Sequence, residues 1–592
     1  MPSPFGPLIG GRPIGAGAGE SDPAGSGHPA TAAAQEDGGT APDVRVPEVR
    51  VDADGIADRI VALPVPEARY SRLRAVSGGL AWLREPVTGN LGLGGAEPTD
   101  DAPRPVLERF DFGRREAAGL RDDVDWFEAS KDGTRLVVSD HGSLTVIPGA
   151  RKAGNDDPDD KVGIDASRAR FMADPAALWR QAYAEAFRVM RHDFWVADMA
   201  GVDWDAIQDE YRPLLDRVSC PAEFADVLWE VFGELGTSHA YVIPAGQGDG
   251  ADSRGNQPGQ LGADIERTPD GWRVTRVVRG ESSDPRARSP LAAPGVTISA
   301  GDMLLAIDGR PVGPAGPGPL LVGAAGKPVE LTVGPAGASG EPRRVAVVPL
   351  ADDKRLRYQD WVSARRAQVR ELGDGQVGYL HVPDMVSEGW ADFHRDLRGE
   401  MLRDALVIDV RGNSGGHTSQ LVVEKLARRV IAWDVSRGLL PSTYPEDAPR
   451  GPLVALADEC AGSDGDIVTA AIRILRLGPV VGARTWGGVI GYDDEHELVD
   501  GTRMTVPRLA FWMNGFGWGV ENYGVDPDVE VIPSPDDWAA GRDVQLEKAV
   551  ALALEALREK PAVRPPDPAE RPSRRRPPLP PRAVPPRLME PG

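Results

Sequence analysis

The sequence predicts a multidomain protein of mixed α+β and α/β class, and three observations support this class. The chain has 592 residues, which is enough for about three or four domains. Between residues 43 and 353, strand-like segments lie on both sides of a run of amphipathic helices. From residue 354 onward, strand-like and helix-like segments alternate, which is typical of a largely parallel sheet flanked by helices.

Changes in composition and in the pattern of apolar residues divide the sequence into six consecutive segments. A head rich in Gly, Ala and Pro and a tail rich in Pro and Arg contain few large apolar side chains, so both are predicted to be disordered. The segments are the disordered head (1–42), strands of the kind found in β-propeller blades (43–164), helices (165–254), a second β-rich unit (255–353), the alternating βα domain (354–558) and the disordered tail (559–592).

Charge and cysteine content exclude several classes of protein. The formal net charge of −23 argues against non-specific binding to nucleic acid or to an anionic membrane. With only Cys220 and Cys460, neither a disulfide framework nor a cysteine-rich metal site is expected, and no motif for a metal or another cofactor is present. The first residues, "MPSPFGPLIGG", lack the features of a signal peptide, and no apolar run reaches the roughly 18 residues that span a bilayer. We therefore expect a soluble cytoplasmic protein.

The helical segment has clear beginnings and ends. Asp174-Pro175 supplies an N-cap followed by a proline in the first turn. In "PAEFADVLWEVFGEL" the apolar residues recur at helical spacing, and Gly236 is the predicted end of that helix. The words "TSHAYV" follow at once, so Ser238 and His239 are expected in the turn that leaves the helix.

The β-rich unit 255–353 contains two stretches that resemble a PDZ domain, "GQLGADIE" and "AGDMLLAIDG". That resemblance implies a small β-barrel in which a glycine-containing loop offers backbone N–H groups to the terminal carboxylate of a peptide. A small β-barrel that binds no peptide could use the same turns, and this alternative stays open.

Two turns rich in small residues follow strands of the βα domain, "DVRGNSGGH" after 405–410 and "AGSDGD" after 453–458. In such folds the reacting groups favour the turns at the carboxyl ends of strands. The second turn offers Ser463 as a nucleophile, and the glycines of the first could bring backbone N–H donors close to it. The local sequence also permits a plainer interpretation, in which Ser463 caps the next helix together with Asp466.

A serine nucleophile needs a base. His239 and His417 are the two credible histidines, because His239 follows a helix end and His417 opens a helix beside the glycine turn. A lysine base is unlikely on the sequence alone, since no lysine occurs between Lys425 and Lys548.

Taken in order, these motifs resemble one family of serine peptidases. "GTSHAYV", the PDZ-like unit, "RGNSGG", "AGSDGDI", "GARTWGGVIG" and "GFGWGVENYGVDPDV" together resemble the tricorn proteases over about residues 165–556. The resemblance implies a ClpP/crotonase-like βα domain related to the tail-specific peptidases. It also implies a cytoplasmic homohexamer that hydrolyses oligopeptides, such as proteasome products, through an acyl-enzyme. Family members begin with two β-propellers, and residues 43–164 would match the closing blades of the second.

The resemblance assigns a role to each residue of the expected active site. Ser463 would be the nucleophile and His239 its base, with Ser238 linking His239 to the carboxylate of Glu521. This arrangement of nucleophile, base, hydroxyl and carboxylate is chemically sound, because a carboxylate acting through a hydroxyl orients the imidazole and favours its protonated form.

Three further positions follow from the resemblance. The backbone N–H groups of Gly416 and Asp464 would form the oxyanion hole. Asp434 in "IAWDVSRG" would be a buried carboxylate that receives a basic side chain at P1, although the family also accepts apolar residues there.

Two other functions compete with a peptidase. The chain could be a PDZ-containing scaffold whose peptidase core is catalytically silent, although Ser463, His239, Ser238 and Glu521 are all present. It could also be a crotonase-like hydrolase of acyl groups other than peptides, although the PDZ-like unit and Asp434 favour peptides.

Overall fold

The structure is a computed structural model, and it describes most of the chain between residues 62 and 578. The residues left out of that span are 87–103, 155–159, 169–171, 247–257, 282–283, 336–339, 493–494 and 577. The predicted disordered head lies outside the described residues, whereas residues 559–576 and 578 of the predicted tail are described. At the start of that tail Ala562 is buried, and the N–H of Val563 donates to the carbonyl of Arg450 at 2.8 Å. The chain divides into two compact units, with the boundary between Phe171 and Met172.

The N-terminal unit consists of two four-stranded antiparallel sheets, each with its strands in sequential order. Alternating apolar residues, including Leu107, Phe127 and Leu136, are fully buried in its core. The stretch "ASKDGTRLVVSDHGSLTVI" contains a hairpin whose two strands pair from Arg135↔Pro148 to Asp140↔Ser143. That the sheets are blades of a propeller stays a prediction. The strands are β1 (Tyr70–Val76), β2 (Gly79–Arg84), β3 (Val106–Asp111), β4 (Glu116–Arg121), β5 (Trp126–Ala129), β6 (Arg135–Asp140), β7 (Ser143–Pro148) and β8 (Val162–Ile164).

The second unit begins with three helices that pack around aromatic side chains. The Asp174 side chain accepts the backbone N–H of Ala176 and so caps the first helix, as the sequence predicts. The third helix ends at Gly233, and hydrogen-bonded turns continue to Gly236, which has a positive φ of 56°. The elements are α1 (Pro175–Asp193), α2 (Trp204–Tyr211), α3 (Pro221–Gly233) and the short strand β9 (Val242–Ile243) that follows them.

The PDZ-like unit is an antiparallel sheet in the order β10-β11-β12-β14-β15, with β13 paired to β12. Its core is formed by alternating apolar residues such as Val274, Ile307 and Leu331. Closure of this sheet into a barrel stays a prediction. The elements are β10 (Ala263–Thr268), β11 (Gly271–Val277), β12 (Met303–Ile307), β13 (Arg310–Pro311), α4 (Gly318–Leu321), β14 (Val329–Gly334) and β15 (Arg343–Val347).

The last domain confirms the predicted βα alternation. Its central sheet is parallel throughout, in the order β16-β17-β20-β21-β24, and separate apolar cores cover its two faces. A two-stranded hairpin (β18–β19) and a small sheet (β22-β23-β9) accompany it. The elements are α5 (Lys354–Leu372), β16 (Val377–His381), α6 (Ser387–Glu400), β17 (Ala405–Asp409), α7 (Ser419–Leu426), β18 (Ala432–Asp434), β19 (Ser442–Tyr444), β20 (Leu453–Ala457), α8 (Asp464–Ile474), β21 (Val480–Gly482), β22 (Glu495–Glu497), β23 (Arg503–Thr505), β24 (Val529–Glu530), α9 (Pro535–Ala539) and α10 (Val544–Glu559).

A buried ionic network fixes the end of β17, where the first glycine-rich turn begins. Asp409 is fully buried and accepts hydrogen bonds from the Arg411 guanidinium at 2.7 Å and from the Tyr379 hydroxyl at 2.8 Å. Arg411 also reaches Asp543 at 2.9 Å, so the buried charges are paired on both sides. This network of paired charges therefore fixes the direction in which the chain leaves β17.

Among the described residues, no helix combines the length and the apolar character that crossing a bilayer requires.

Candidate active site

The site is assembled where the strand after the helical segment joins the small sheet of the βα domain. β9 pairs with β23 through Val242↔Met504. Thr505, almost fully buried, donates its hydroxyl to the carbonyl of His239 at 2.5 Å and accepts the N–H of Tyr241 at 2.8 Å. The backbone around His239 is therefore anchored to a segment more than 260 residues further along the chain.

Ser463 lies on a strained turn between β20 and α8. Its φ of 56° and ψ of −117° put it in the left-handed half of conformational space, which non-glycine residues rarely occupy. The residue holds the N-cap position of α8, yet its side chain makes no capping hydrogen bond. Instead, its Oγ lies 3.1 Å from Nε2 of His239. The turn thus presents the hydroxyl to the histidine and away from the helix.

The interpretation of Ser463 and Asp466 as a capping pair is confirmed only for Asp466, because the Ser463 side chain makes no capping hydrogen bond. The Asp466 carboxylate is fully buried and receives the hydroxyl of Thr485 together with the N–H groups of Gly487 at 2.8 Å and Gly488 at 3.1 Å. The same carboxylate also meets the backbone N–H of Ser463, while the Ser463 hydroxyl is left available for His239.

His239 links Ser463 to a carboxylate through a second serine. Its Nδ1 lies 2.8 Å from Oγ of Ser238, and that hydroxyl is 3.2 Å from Oε2 of Glu521. Together with the contact between His239 and Ser463, these distances form one continuous hydrogen-bonded chain of four side chains. The structure therefore brings together the four residues that the resemblance names for the active site.

Glu521 is held by backbone donors from two parts of the chain. Its carboxylate accepts the N–H of Ser238 at 2.7 Å, of Val489 at 2.6 Å and of Ile490 at 3.0 Å. Because a poorly exposed carboxylate needs several hydrogen bonds to replace its lost hydration, these donors both stabilise the charge and fix its position.

The electrostatics of His239 favour the neutral imidazole. The ring is 7% exposed, and this burial lowers the pKa of His239 below its ordinary value of 6.5, while the negative charge of Glu521 partly opposes the shift. A neutral imidazole at neutral pH can accept a proton from a hydroxyl, which is what a general base must do.

The first glycine-rich turn lies against Ser463 and offers an unpaired donor. A side chain at Gly415 would overlap Cβ of Ser463 at 2.6 Å, and one at Gly416 would overlap the carbonyl of Met385 at 2.2 Å. The N–H of Gly415 donates to Oδ1 of Asn413 at 2.9 Å and is therefore already paired. Within the described residues, the N–H of Gly416 has no hydrogen-bond acceptor, and it is therefore available to a ligand next to Ser463.

Asp464 ties this turn to the nucleophile. Its buried carboxylate accepts both the N–H of Ser419, at 2.8 Å, and the Ser419 hydroxyl. Ser419 begins α7 three residues after Gly416, so this pair of bonds holds the donor of Gly416 at a fixed place relative to Ser463. The backbone N–H of Asp464 likewise has no acceptor in the part of the chain that the structure describes.

Two predicted candidates lie elsewhere. His417 is exposed at the approach to α7, and the histidine that faces Ser463 is His239. Asp434 lies in the exposed hairpin β18–β19 and forms no ion pair with any described residue, so the expectation of a buried carboxylate is wrong for this chain by itself. In this strand Ala432 and Asp434 are exposed and only Trp433 between them is partly buried.

Sequence reasoning missed the residues that support the site. Thr505, Asp466 and the carboxylate of Asp464 act through hydrogen bonds to backbone groups far away in sequence, and a single Thr or Asp carries no local signal of such a role. Among the described residues, no group of three or more His, Cys, Asp or Glu side chains is arranged to hold a metal ion.

Three family models match this chain in succession. The Tricorn protease C1 domain matches residues 175–233, the Tricorn protease PDZ domain matches 259–352 and Peptidase family S41 matches 376–531. Ser463 and Glu521 lie inside the S41 match, whereas His239 lies between the C1 and PDZ matches.

The relatives and the solved structure that this chain is similar to are tricorn proteases or homologs of them. Tricorn protease homolog 1 from Streptomyces coelicolor is 58% identical over 88% of this chain and 48% of its own length. The tricorn protease of Thermoplasma acidophilum is 33% identical over 76% of this chain and 41% of its own length. The crystal structure of the tricorn protease superposes with a TM-score of 0.76 at 30% identity, covering 88% of this chain and 50% of that one. The chain thus spans about half the length of the relatives it matches.

The electrostatic role of Glu521 can be measured without any substrate. Because burial lowers the pKa of His239 and the Glu521 charge raises it, we expect an imidazole titration midpoint below 6.5 in the wild type and a still lower one in Glu521→Gln. The measurement is an NMR titration of chain labelled with ¹³C-histidine, with the signal assigned by His239→Gln.

The matched control for this titration is Glu424→Gln, which removes a largely exposed carboxylate elsewhere and should leave the midpoint unchanged. A midpoint above 6.5 in the wild type, or one that rises in Glu521→Gln, would contradict the assigned balance of burial and charge.

Proposed function

Because this chain is a tricorn-type serine peptidase by family, with the C1, PDZ and S41 peptidase domains, we propose that it hydrolyses oligopeptides through an acyl-enzyme on Ser463. The observation that carries the proposal is the unbroken hydrogen-bonded chain from Ser463 through His239 and Ser238 to Glu521. Nucleophile, base and orienting carboxylate in mutual contact are the requirements of nucleophilic acyl transfer.

Acylation follows from the direction of these hydrogen bonds. The Ser463 hydroxyl donates to Nε2 of His239, which takes the proton as Oγ attacks the peptide carbonyl. The Nδ1–H of His239 then donates to Oγ of Ser238, and the Ser238 hydroxyl donates to Glu521. The carboxylate thereby stabilises the imidazolium without touching it. The imidazolium next protonates the leaving amine, and a water molecule activated by the same imidazole releases the acyl group.

The negative charge that develops on the peptide oxygen also needs donors. The two N–H groups without an acceptor, those of Gly416 and Asp464, are the proposed oxyanion hole, and each such donor is typically worth about 3 kcal/mol of transition-state stabilisation. The positive φ of 142° at Gly416 and its contact with Met385 restrict this position to glycine.

Substrate and assembly are further parts of the proposal. By the resemblance, the substrates are peptides such as proteasome products with basic or apolar P1 residues, and the active assembly is a cytoplasmic homohexamer. Asp434 is the proposed receptor of a basic P1 side chain. No observation favours a silent scaffold or a crotonase-like acyl hydrolase over a peptidase, because all four side chains of the catalytic chain are present and in contact.

The first test compares wild type with Ser463→Ala on fluorogenic peptides that end in Arg, Lys, Leu or Phe. Removing the nucleophile is expected to lower kcat by about 10⁴-fold or more. Ser573→Ala, which changes an exposed serine of the described tail, is the control and should keep wild-type activity. A wild-type chain that cleaves no peptide, or a Ser463→Ala variant with undiminished activity, would refute the proposal.

The P1 assignment has its own test. A charge-assisted hydrogen bond to a basic side chain is worth about 1.5–3 kcal/mol, so Asp434→Asn is expected to lower kcat/KM for Arg peptides at least tenfold and to spare Leu peptides. Glu446→Gln, an exposed carboxylate close by in the same segment, is the control. An unchanged ratio of Arg to Leu cleavage in Asp434→Asn would exclude this residue as the P1 receptor.

A further inference from the structure

Among the described residues, three aromatic rings lie beside the catalytic imidazole without taking part in the hydrogen-bonded chain, and one of them, Tyr241, is less exposed than the other two. The ring centroid of Trp486 lies 5.6 Å from that of His239, and the ring of Tyr492 lies 5.9 Å from it. Trp486 is 48% exposed and Tyr492 is 40% exposed. Large aromatic surfaces left open beside reacting groups are available to a bound molecule, and aromatic side chains make favourable apolar contacts there.

The position of the Trp486 ring is built into the backbone of the nucleophile's turn. A side chain at Gly462, the residue before Ser463, would overlap the indole at 2.7 Å, and one at Gly488 would overlap it at 2.2 Å. The N–H of Trp486 donates to the carbonyl of Ala461 at 3.1 Å. The indole therefore lies directly on the peptide chain that carries the nucleophile.

The segment that carries Trp486 is also held by hydrogen bonds to a buried carboxylate. Asp466 binds the residues on both sides of it, through the Thr485 hydroxyl and the N–H groups of Gly487 and Gly488. Since this carboxylate is fully buried, the segment is fixed before any ligand arrives. Such preorganisation lowers the entropy that binding must overcome.

The chemistry of the proposed reaction says which part of a peptide meets these rings. After Ser463 attacks, Nε2 of His239 must give its proton to the amine nitrogen of the residue that follows the scissile bond. That nitrogen therefore lies within hydrogen-bond reach of the imidazole. The side chain of the residue that carries this nitrogen then lies beside the imidazole, close to the exposed rings of Trp486 and Tyr492.

We propose that Trp486 and Tyr492 form a binding subsite for the side chain of the first leaving-group residue, P1′, and that this subsite favours apolar and aromatic side chains. The inference rests on the proposed peptidase function and deepens it, because it concerns the residue after the scissile bond, whereas Asp434 concerns the residue before it.

The test uses three substrates with the same acyl part. Two are peptides with Leu or Gly at P1′, and the third is a methyl ester, whose leaving group has no side chain. In Trp486→Ala we expect kcat/KM for the Leu peptide to fall about tenfold further than kcat/KM for the Gly peptide and for the ester. Trp486→Phe keeps an aromatic face and should recover most of the loss. Trp538→Ala, which removes another exposed indole in α9, is the control.

A second measurement separates the subsite from a general structural role. During ester hydrolysis, leucinamide and glycinamide compete with water for the acyl-enzyme. The amine nitrogen forms the new bond to the acyl carbon, the bond to Ser463 Oγ breaks, and the proton lost by the amine returns to Ser463 through His239. The wild type should transfer the acyl group to leucinamide in preference to glycinamide, and Trp486→Ala should lose that preference.

The outcomes distinguish the two proposals. If Trp486→Ala slows the ester as much as the Leu peptide, or keeps the preference for leucinamide, the subsite is overturned and the peptidase stands. If the wild type hydrolyses neither peptide nor ester, the peptidase function fails and the subsite fails with it.

Discussion

The Glu521 carboxylate is the point on which the active site depends. It accepts backbone N–H groups from Ser238 at 2.7 Å and from Val489 at 2.6 Å, residues that belong to separate segments of the chain. Through Ser238 it also orients His239, whose imidazole must meet a serine 224 residues away in sequence. The bonds from Ser238 thus join the helical segment to the βα domain, and the carboxylate is placed to stabilise the positive charge that catalysis would create.

The parallel sheet brings the glycine-rich turn and the turn that carries Ser463 together. Because β17 and β20 are neighbours and parallel, the turns at their carboxyl ends meet, and the glycine turn lies against Ser463. Strain is part of this arrangement, since Ser463 and His239 both have positive φ, at a cost of about 1–3 kcal/mol each. Buried hydrogen bonds from Thr505 and to Asp464 hold the two turns in these conformations. This support holds the nucleophile and the base within hydrogen-bond distance of each other.

Much of this architecture could be predicted from the sequence, and the exceptions have physical reasons. The period of the apolar residues predicts the helices and the βα alternation, and small residues after strands predict the two turns. The residues alone left His239 and His417 as candidate bases for Ser463, and the resemblance to tricorn proteases chose His239. The capping interpretation holds only for Asp466, because the Ser463 hydroxyl faces His239, a residue that the sequence cannot place beside it. Asp434 was expected to be buried, but its strand pairs on one side only and leaves it exposed.

The most direct measurement is the rate at which a fluorophosphonate modifies the chain, followed by peptide mapping of the adduct. A serine is reactive toward such a reagent only when a base removes its proton. We expect a single adduct, on Ser463, and a rate constant that falls about 10³-fold or more in His239→Ala. An adduct on another residue, or the same rate in His239→Ala, would contradict the central claim that His239 activates Ser463.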